Sequence, residues 1–212
     1  MHVETFAVGP LGCNCTIVAD LEAKRALVVD PGGDFDVISR ALAALEVRVE
    51  AIVHTHTHID HVGATAELQR STGATASIHE RDRFLYRMLP VQAALLGVGG
   101  VEKADMDDQL VDEAVFRAGA IELAVLHTPG HTPGSCCFLV SDGPSMTLLA
   151  GDTLFRGSIG RTDLWGGDHA AILRSIRGKV LGLPDEVSVV AGHGPPTTIG
   201  RERAHNPYLR TR

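Results

Sequence analysis

The spacing of hydrophobic and polar residues changes period several times along this chain. Residues 3–8, 14–20 and 25–30 are short apolar or alternating runs. They are parted by Gly9-Pro10-Leu11-Gly12 and by Asp20 to Lys24, which predicts three strands joined by tight turns. Asp30-Pro31-Gly32-Gly33 ends the third. A helical spacing follows, with Asp34 or Asp36 as N-cap and Val37, Ile38, Leu42 and Leu45 on one face. Arg48 to His54 reads as a strand, residues 61–71 as a helix stopped by Gly73, and Ala74 to Ile78 as another strand. Arg81 to Leu96 is helical with an interruption at Pro90, and Gly97 to Gly100 is a loop. Short strands return around 109–111, 115–118, 121–126, 136–141 and 146–150. Asp168 is placed to cap a helix over Ala170 to Val180, and Val187 to Ala191 is the last strand. This alternation predicts a layered α/β sandwich. With no linker or shift in composition, residues 1–212 are expected to form one domain.

Composition narrows the classes of function. A hydrophobic share of 44% supports a large core. No run approaches the roughly 20 apolar residues of a membrane span. The first residues lack the basic and apolar regions of a signal peptide, so a cytoplasmic protein is expected. A net charge of −7 argues against a nucleic-acid partner. Neither Cys13/Cys15 nor Cys136/Cys137 has the spacing of a zinc knuckle or a redox pair, so all four read as small buried hydrophobes, with Cys136 and Cys137 on opposite faces of a strand.

The eleven histidines change the picture most. Thr55-His56-Thr57-His58-Ile59-Asp60-His61 follows directly on a buried strand. His56 and His58 are two apart and can reach one side of the strand end, whereas Asp60 and His61 open the next helix and point elsewhere. One tetrahedral ion does not readily accept all four, so the spacing suggests two adjacent metals. His131, Asp152 and His193 each follow an apolar strand and lie beside glycine, as residues gathered at one edge of a sheet would. His54 is expected to face the sheet. His2, His79 and His127 are expected to be non-ligands, and the tail around Tyr208 to pack on the domain.

Taken together, these motifs resemble the metallo-β-lactamase superfamily, whose fold is a four-layered αββα sandwich. The resemblance spans nearly the whole chain. It extends to Asn14-Cys15, Asp30-Pro31-Gly32, Gly160-Arg161-Thr162-Asp163 and His205-Asn206-Pro207-Tyr208. Within the superfamily it is strongest to the short glyoxalase II-like (hydroxyacylglutathione hydrolase-like) enzymes. The resemblance implies that His56, His58 and His131 hold one divalent metal, that Asp60, His61 and His193 hold the other, and that Asp152 bridges. Zinc is the expected metal, and iron and manganese also suit His/Asp ligation. It further implies hydrolysis of a small-molecule acyl-thioester such as S-D-lactoylglutathione by water shared between the metals, with Asp60 orienting that water and accepting its proton. Arg161 occupies a position that is basic in glyoxalase II and helps hold glutathione; the other reading is a surface pair with Asp163.

Several departures bear on the class. The commonest secreted zinc β-lactamases place Cys where Asp152 stands, and the superfamily's nucleases carry insertions and basic surfaces. Full-length glyoxalase II enzymes add a C-terminal helical domain for glutathione, which the short stretch after His193 does not supply. The competing reading is a persulfide dioxygenase with one iron, but Ala191-Gly192-His193-Gly194-Pro195 departs from the surroundings of the last His in those relatives. A non-enzymatic metal scaffold is a third reading, disfavoured by the intact ligand set with Asp60.

Overall fold

A computed structural model describes residues 1–99, 101–107, 110–143 and 145–210. Two large sheets lie face to face. The first comprises β1 (His2–Val8), β2 (Cys13–Asp20), β3 (Arg25–Val29), β4 (Arg48–Val53), β5 (Thr75–Ser77) and β6 (Met106–Asp107), in that spatial order. The second sheet contains β7 (Val115–Ala118), β8 (Ile121–His127), β9 (Cys136–Ser141), β10 (Met146–Gly151), β13 (Ser188–Ala191) and β14 (Thr197–Thr198), ordered β14-β13-β10-β9-β8-β7. Between β10 and β13 lies a small hairpin of β11 (Leu154–Phe155) and β12 (Ser158–Ile159).

The period of two decides which layer each residue joins. Ile17, Val28 and Ile52 point outward against Ile38 and Leu42 of helix α1 (Phe35–Leu45). Their strand neighbours Val18, Leu27, Val29 and Val53 point inward to meet Leu123, Val125, Phe138 and Val140. On the far side Leu148, Val189 and Cys137 pack on Ile172 and Ile176. The expected αββα layering is therefore present. Cys136 faces the space between the sheets and Cys137 the outer layer, both buried as free thiols.

Local expectations are corrected in several places. Val37 is exposed, because the buried stripe runs Ile38-Leu42 and Val37 is one step round the helix from it. Asp34 stands at the N-terminus of α1 without capping it through its side chain; that carboxylate instead accepts from Gly9 N at 2.8 Å. The helix expected at 61–71 is two pieces, α2 (Ile59–Val62) and α3 (Thr65–Thr72), with the predicted stop at Gly73. It divides because Ala64 N donates to Pro31 O at 2.9 Å, outside the helical ladder. Of the strand expected at 109–111, Gln109 lies outside the described residues, and Leu110 is a buried plug between the sheets rather than a strand residue. The edge position beside β5 belongs to β6, where Ala76 pairs with Met106.

The 81–96 segment is a 3-10 turn (Glu80–Asp82), then α4 (Arg83–Arg87) and α5 (Leu89–Leu96). The break comes at Met88, so that Pro90 sits in the first turn of α5, where no N–H is needed. Asp168 caps α6 (His169–Ser175) by accepting from Ala171 N, as expected, and α6 then widens into a π turn over Ile176–Val180. The tail is anchored by buried Asn206 and Leu209, whereas Tyr208 is exposed.

The turn after β3 presses directly on α2. A Cβ on Gly32 would lie 1.6 Å from the Asp60 carbonyl oxygen. Gly32→Ala is therefore expected to cost about 3 kcal/mol, the upper part of the usual overpacking range. The check is a lower urea midpoint with an unchanged m-value.

Candidate metal centre

Strand direction gathers the site residues. β9 is antiparallel to both β8 and β10, and β13 is parallel to β10, so β8, β10 and β13 all end at the same edge. Those ends lead to His131, to Gly151-Asp152 and to Gly192-His193. The end of β4 joins them from the other sheet, through Cys136 N donating to Thr55 O at 2.7 Å. Asn14 of β2 closes the rim: its backbone N donates to Gly192 O, and its side chain to Ala191 O and Gly194 O.

Seven side chains meet there in two groups. His56, His58 and His131 turn one ring nitrogen each toward a common point, with His58 Nδ1 3.0 Å from His56 Nε2 and 2.9 Å from His131 Nε2. Asp60, His61 and His193 form the second group, with His193 Nε2 3.1 Å from Asp60 Oδ2 and His61 Nε2 3.7 Å from the same oxygen. Asp152 lies between them. Its Oδ2 is 3.6 Å from His131 Nε2, and its Oδ1 is 3.6 Å from His61 Nε2 and 3.9 Å from His193 Nε2. The approach requires Gly192, since a Cβ there would fall 2.1 Å from Asp152 Oδ1.

The outer ring nitrogens are held from behind, which aims the inner ones. His131 Nδ1 donates to the Arg161 carbonyl (2.8 Å), and His193 Nδ1 donates to the Gly12 carbonyl (3.3 Å). His56 Nδ1 meets Thr55 Oγ1, and His61 Nδ1 meets Asp30 Oδ2 at 2.9 Å. Such outer contacts are usual behind metal-ligating histidines.

Three features fit divalent metals. First, a single His58 Nδ1 cannot donate to both facing ring nitrogens, so at least one lone pair in this group is left without a partner inside it. Second, among the described residues only three buried side-chain polar atoms lack a hydrogen-bond partner, and two of them, His61 Nε2 and Asp152 Oδ1, face this same space. Third, burial and the neighbouring rings hold His56 and His131 below the ordinary imidazole range and bring His58 down to about 3, which keeps this group neutral. Asp60 is held well below the usual carboxylate range: burial pushes it up, but its hydrogen bond to His193 and the charge of His61 prevail.

Three further histidines lie outside these groups. His54 is buried against Ser77 O and Thr65 Oγ1, while His79 and His127 stack on each other with centroids 4.0 Å apart. Arg161 touches the site through its carbonyl, and its exposed guanidinium pairs with both Asp163 oxygens at 2.7 and 2.8 Å.

Two buried polar side chains went unnoticed in the sequence. Asp82 accepts from Thr57 N, Thr132 Oγ1 and Gly134 N. Gln92 Oε1 accepts from Ile59 N at 2.9 Å, and its Nε2 donates to Leu85 O. Both come from the 80–96 segment. An acidic residue on a 3-10 turn and an amide in a short, mostly apolar helix carry no local signal of this role.

Two stacked sheets with outer helices and paired His/Asp groups at the strand ends define a metallo-hydrolase class. Residues 8–193 match the Metallo-beta-lactamase superfamily, and the chain belongs to that family. It is 35% identical to the hydroxyacylglutathione hydrolase GloC of Haemophilus influenzae, over the full length of both chains. Among solved structures it is similar to the B3 metallo-β-lactamase BLEG-1, with a TM-score of 0.90 and 36% identity over 99% of this chain and 100% of that one. It is also similar to TTHA1623 in a di-iron-bound form, with a TM-score of 0.84 and 34% identity over 96% and 98% of the two chains. No helix among the described residues is long and apolar enough to cross a membrane.

Proposed function

We propose that the chain is a dinuclear metal-dependent hydrolase of acyl-thioesters. In this reading His56, His58 and His131 hold one divalent metal, Asp60, His61 and His193 hold the other, and Asp152 touches both. The observation that carries it is the Asp152 carboxylate, whose two oxygens face the two groups separately. Two metals held by these groups would supply a Lewis acid for the carbonyl and would lower the pKa of a bound water toward about 7. Asp60, kept ionised beside His193, orients the attacking water and accepts its proton. The thiol of the substrate leaves with a pKa near ~8.5, so no further acid is required.

Two surroundings support an acyl-thioester in particular. Beside Asp60 is a shallow notch lined by Pro10, Leu11, Ile59, Val98 and Val101, apolar enough for a short acyl group. At the His131 end stands Arg161, suited to a carboxylate on the thiol portion. Similarity to a hydroxyacylglutathione hydrolase agrees with both. Zinc is the proposed metal, and the di-iron form of a similar protein favours iron as the second choice.

Zinc-loaded protein is expected to release thiol from S-D-lactoylglutathione or a short aliphatic thioester without oxygen. The iron-loaded form should consume no oxygen with glutathione persulfide. Persulfide-dependent oxygen uptake without thioester cleavage would establish the mononuclear-iron dioxygenase instead. Faster cleavage of a β-lactam than of any thioester would equally overturn the reading.

Arg161 offers a narrower test. Breaking its pair with Asp163 is inexpensive, since solvent screening leaves exposed ion pairs with little net stabilisation. If the guanidinium then turns to the substrate, Arg161→Ala raises KM with kcat little changed, and Lys restores it only in part. Kinetics identical to the parent would confine Arg161 to its carbonyl contact with His131.

A further inference from the structure

The two groups of ligand-type side chains are held by different buried carboxylates. Asp30 accepts from Thr55 N and Thr55 Oγ1 and contacts His61 Nδ1, so it braces the group containing Asp60, His61 and His193. Asp82, on the 3-10 turn, touches neither His61 nor His193. It is fully buried, and its contacts fall on Thr57, Thr132 and Gly134, residues in the two loops that carry the other group. Its Oδ2 accepts from Thr57 N at 3.2 Å and from Thr132 Oγ1 at 2.8 Å, its Oδ1 accepts from Gly134 N at 2.6 Å, and its carbonyl accepts from Thr57 Oγ1 at 3.1 Å. Thr57 separates His56 from His58, and Thr132 follows His131. One carboxylate thus ties together two loops that are 75 residues apart between Thr57 and Thr132.

The choice of residue type follows from the donors. Two N–H groups and one hydroxyl converge on it, and among the described residues no basic side chain is seen to hydrogen-bond to it. An ionised carboxylate is acceptor-only and can receive all three, whereas an amide would turn an NH2 toward one of the donors. Gly134 is cut to fit, since a Cβ there would come 2.6 Å from the Asp82 carboxylate carbon.

From this geometry we infer that Asp82 is a positioning residue for one metal position only, setting the spacing of His58 and His131 while leaving the Asp60/His61/His193 position alone. The inference rests on the two-metal reading above. Its consequence is that the two positions can be weakened separately by changing residues that touch no metal.

The test compares parent protein, Asp82→Ala, Asp82→Asn and Leu42→Ala. The last is a truncation in the outer layer under α1 that serves as a stability control. Zinc and cobalt(II) affinities are measured by chelator competition, and the ring nitrogens are followed by long-range proton–nitrogen spectra of the imidazoles. The parent is expected to bind two equivalents. Asp82→Ala should lose about 10–100-fold in affinity at one position, the scale typical of groups that orient metal ligands. Added zinc should then still shift the His61 and His193 nitrogens at low concentration, but not those of His58 and His131. Asp82→Asn should fall between, and Leu42→Ala should bind two equivalents despite a lower melting temperature. Equal loss at both positions, no loss at either, or the same loss in Leu42→Ala would overturn the inference.

If the parent binds no zinc, the proposed function fails while Asp82 remains testable by amide exchange in the metal-free protein. Thr57 and Gly134 should then exchange faster in Asp82→Ala than in Leu42→Ala, and equal exchange would refute the tether.

Discussion

Asp152→Ala is expected to leave the protein with fewer than two bound metals and almost no turnover. Among the described residues, Asp152 is the carboxylate whose oxygens face both groups, at 3.6 Å from His131 Nε2 and 3.6 Å from His61 Nε2. Removing it takes a negative charge from between two cations and leaves the His61 and His131 rings facing each other without a mediator. Turnover should fall by roughly 10²–10³-fold or more, the scale set by loss of a single preorganised electrostatic stabiliser. Stability should respond as well. Ligand bound only to the folded state adds about 2.7 kcal/mol at a hundredfold excess over Kd, and the mutant should lose most of that gain on adding zinc. Metal analysis beside thermal melts with and without zinc makes the comparison. Two tightly bound metals in the mutant would show that the carboxylate does not bridge.

The second large effect belongs to Asp60. Asp60→Asn preserves shape but removes the charge and the proton-accepting oxygen that stand beside His193 at 3.1 Å. A positioned general base contributes about 10²–10⁴-fold, so kcat should drop by that factor. Metal affinity at the His61/His193 position should drop too, whereas the His56/His58/His131 position, which Asp60 does not join, should keep its affinity. A mutant with parental kcat would move the base elsewhere. One that loses both metals would make Asp60 structural.

Much of the candidate site was legible because its residues announce themselves locally. Four ligand-type side chains within Thr55 to His61, and three more each beside a glycine at a strand end, form a pattern that needs no tertiary knowledge to notice. Ile38 and Leu42 were placed correctly by helical spacing, and Cys136 and Cys137 by strand alternation. Arg161 shows the limit of such reading. Its position beside the site was foreseeable, but the direction of its guanidinium, toward Asp163, depends on a local pair formed in a surface loop.

Where the readings failed, a distant contact had overridden a local preference. The helix expected at 61–71 splits because Ala64 bonds to Pro31, and Asp34 abandons capping for the Gly9 amide. Asp82 and Gln92 left no trace in the pattern, because the site residues they hold lie 25 to 52 residues away.

The sequence by itself determined the alternation of strands and helices, the strand ends and which side chains could serve as ligands, since those follow from short periods and from the chemistry of His and Asp; the four-layer order was implied by the family resemblance. Only the tertiary structure decided the distances within and between the groups of ligand-type residues and which buried carboxylate lies beside each. Those outcomes depend on the meeting of chain segments far apart in sequence, and no local period encodes the distance between two loops that touch only after the sheets have packed.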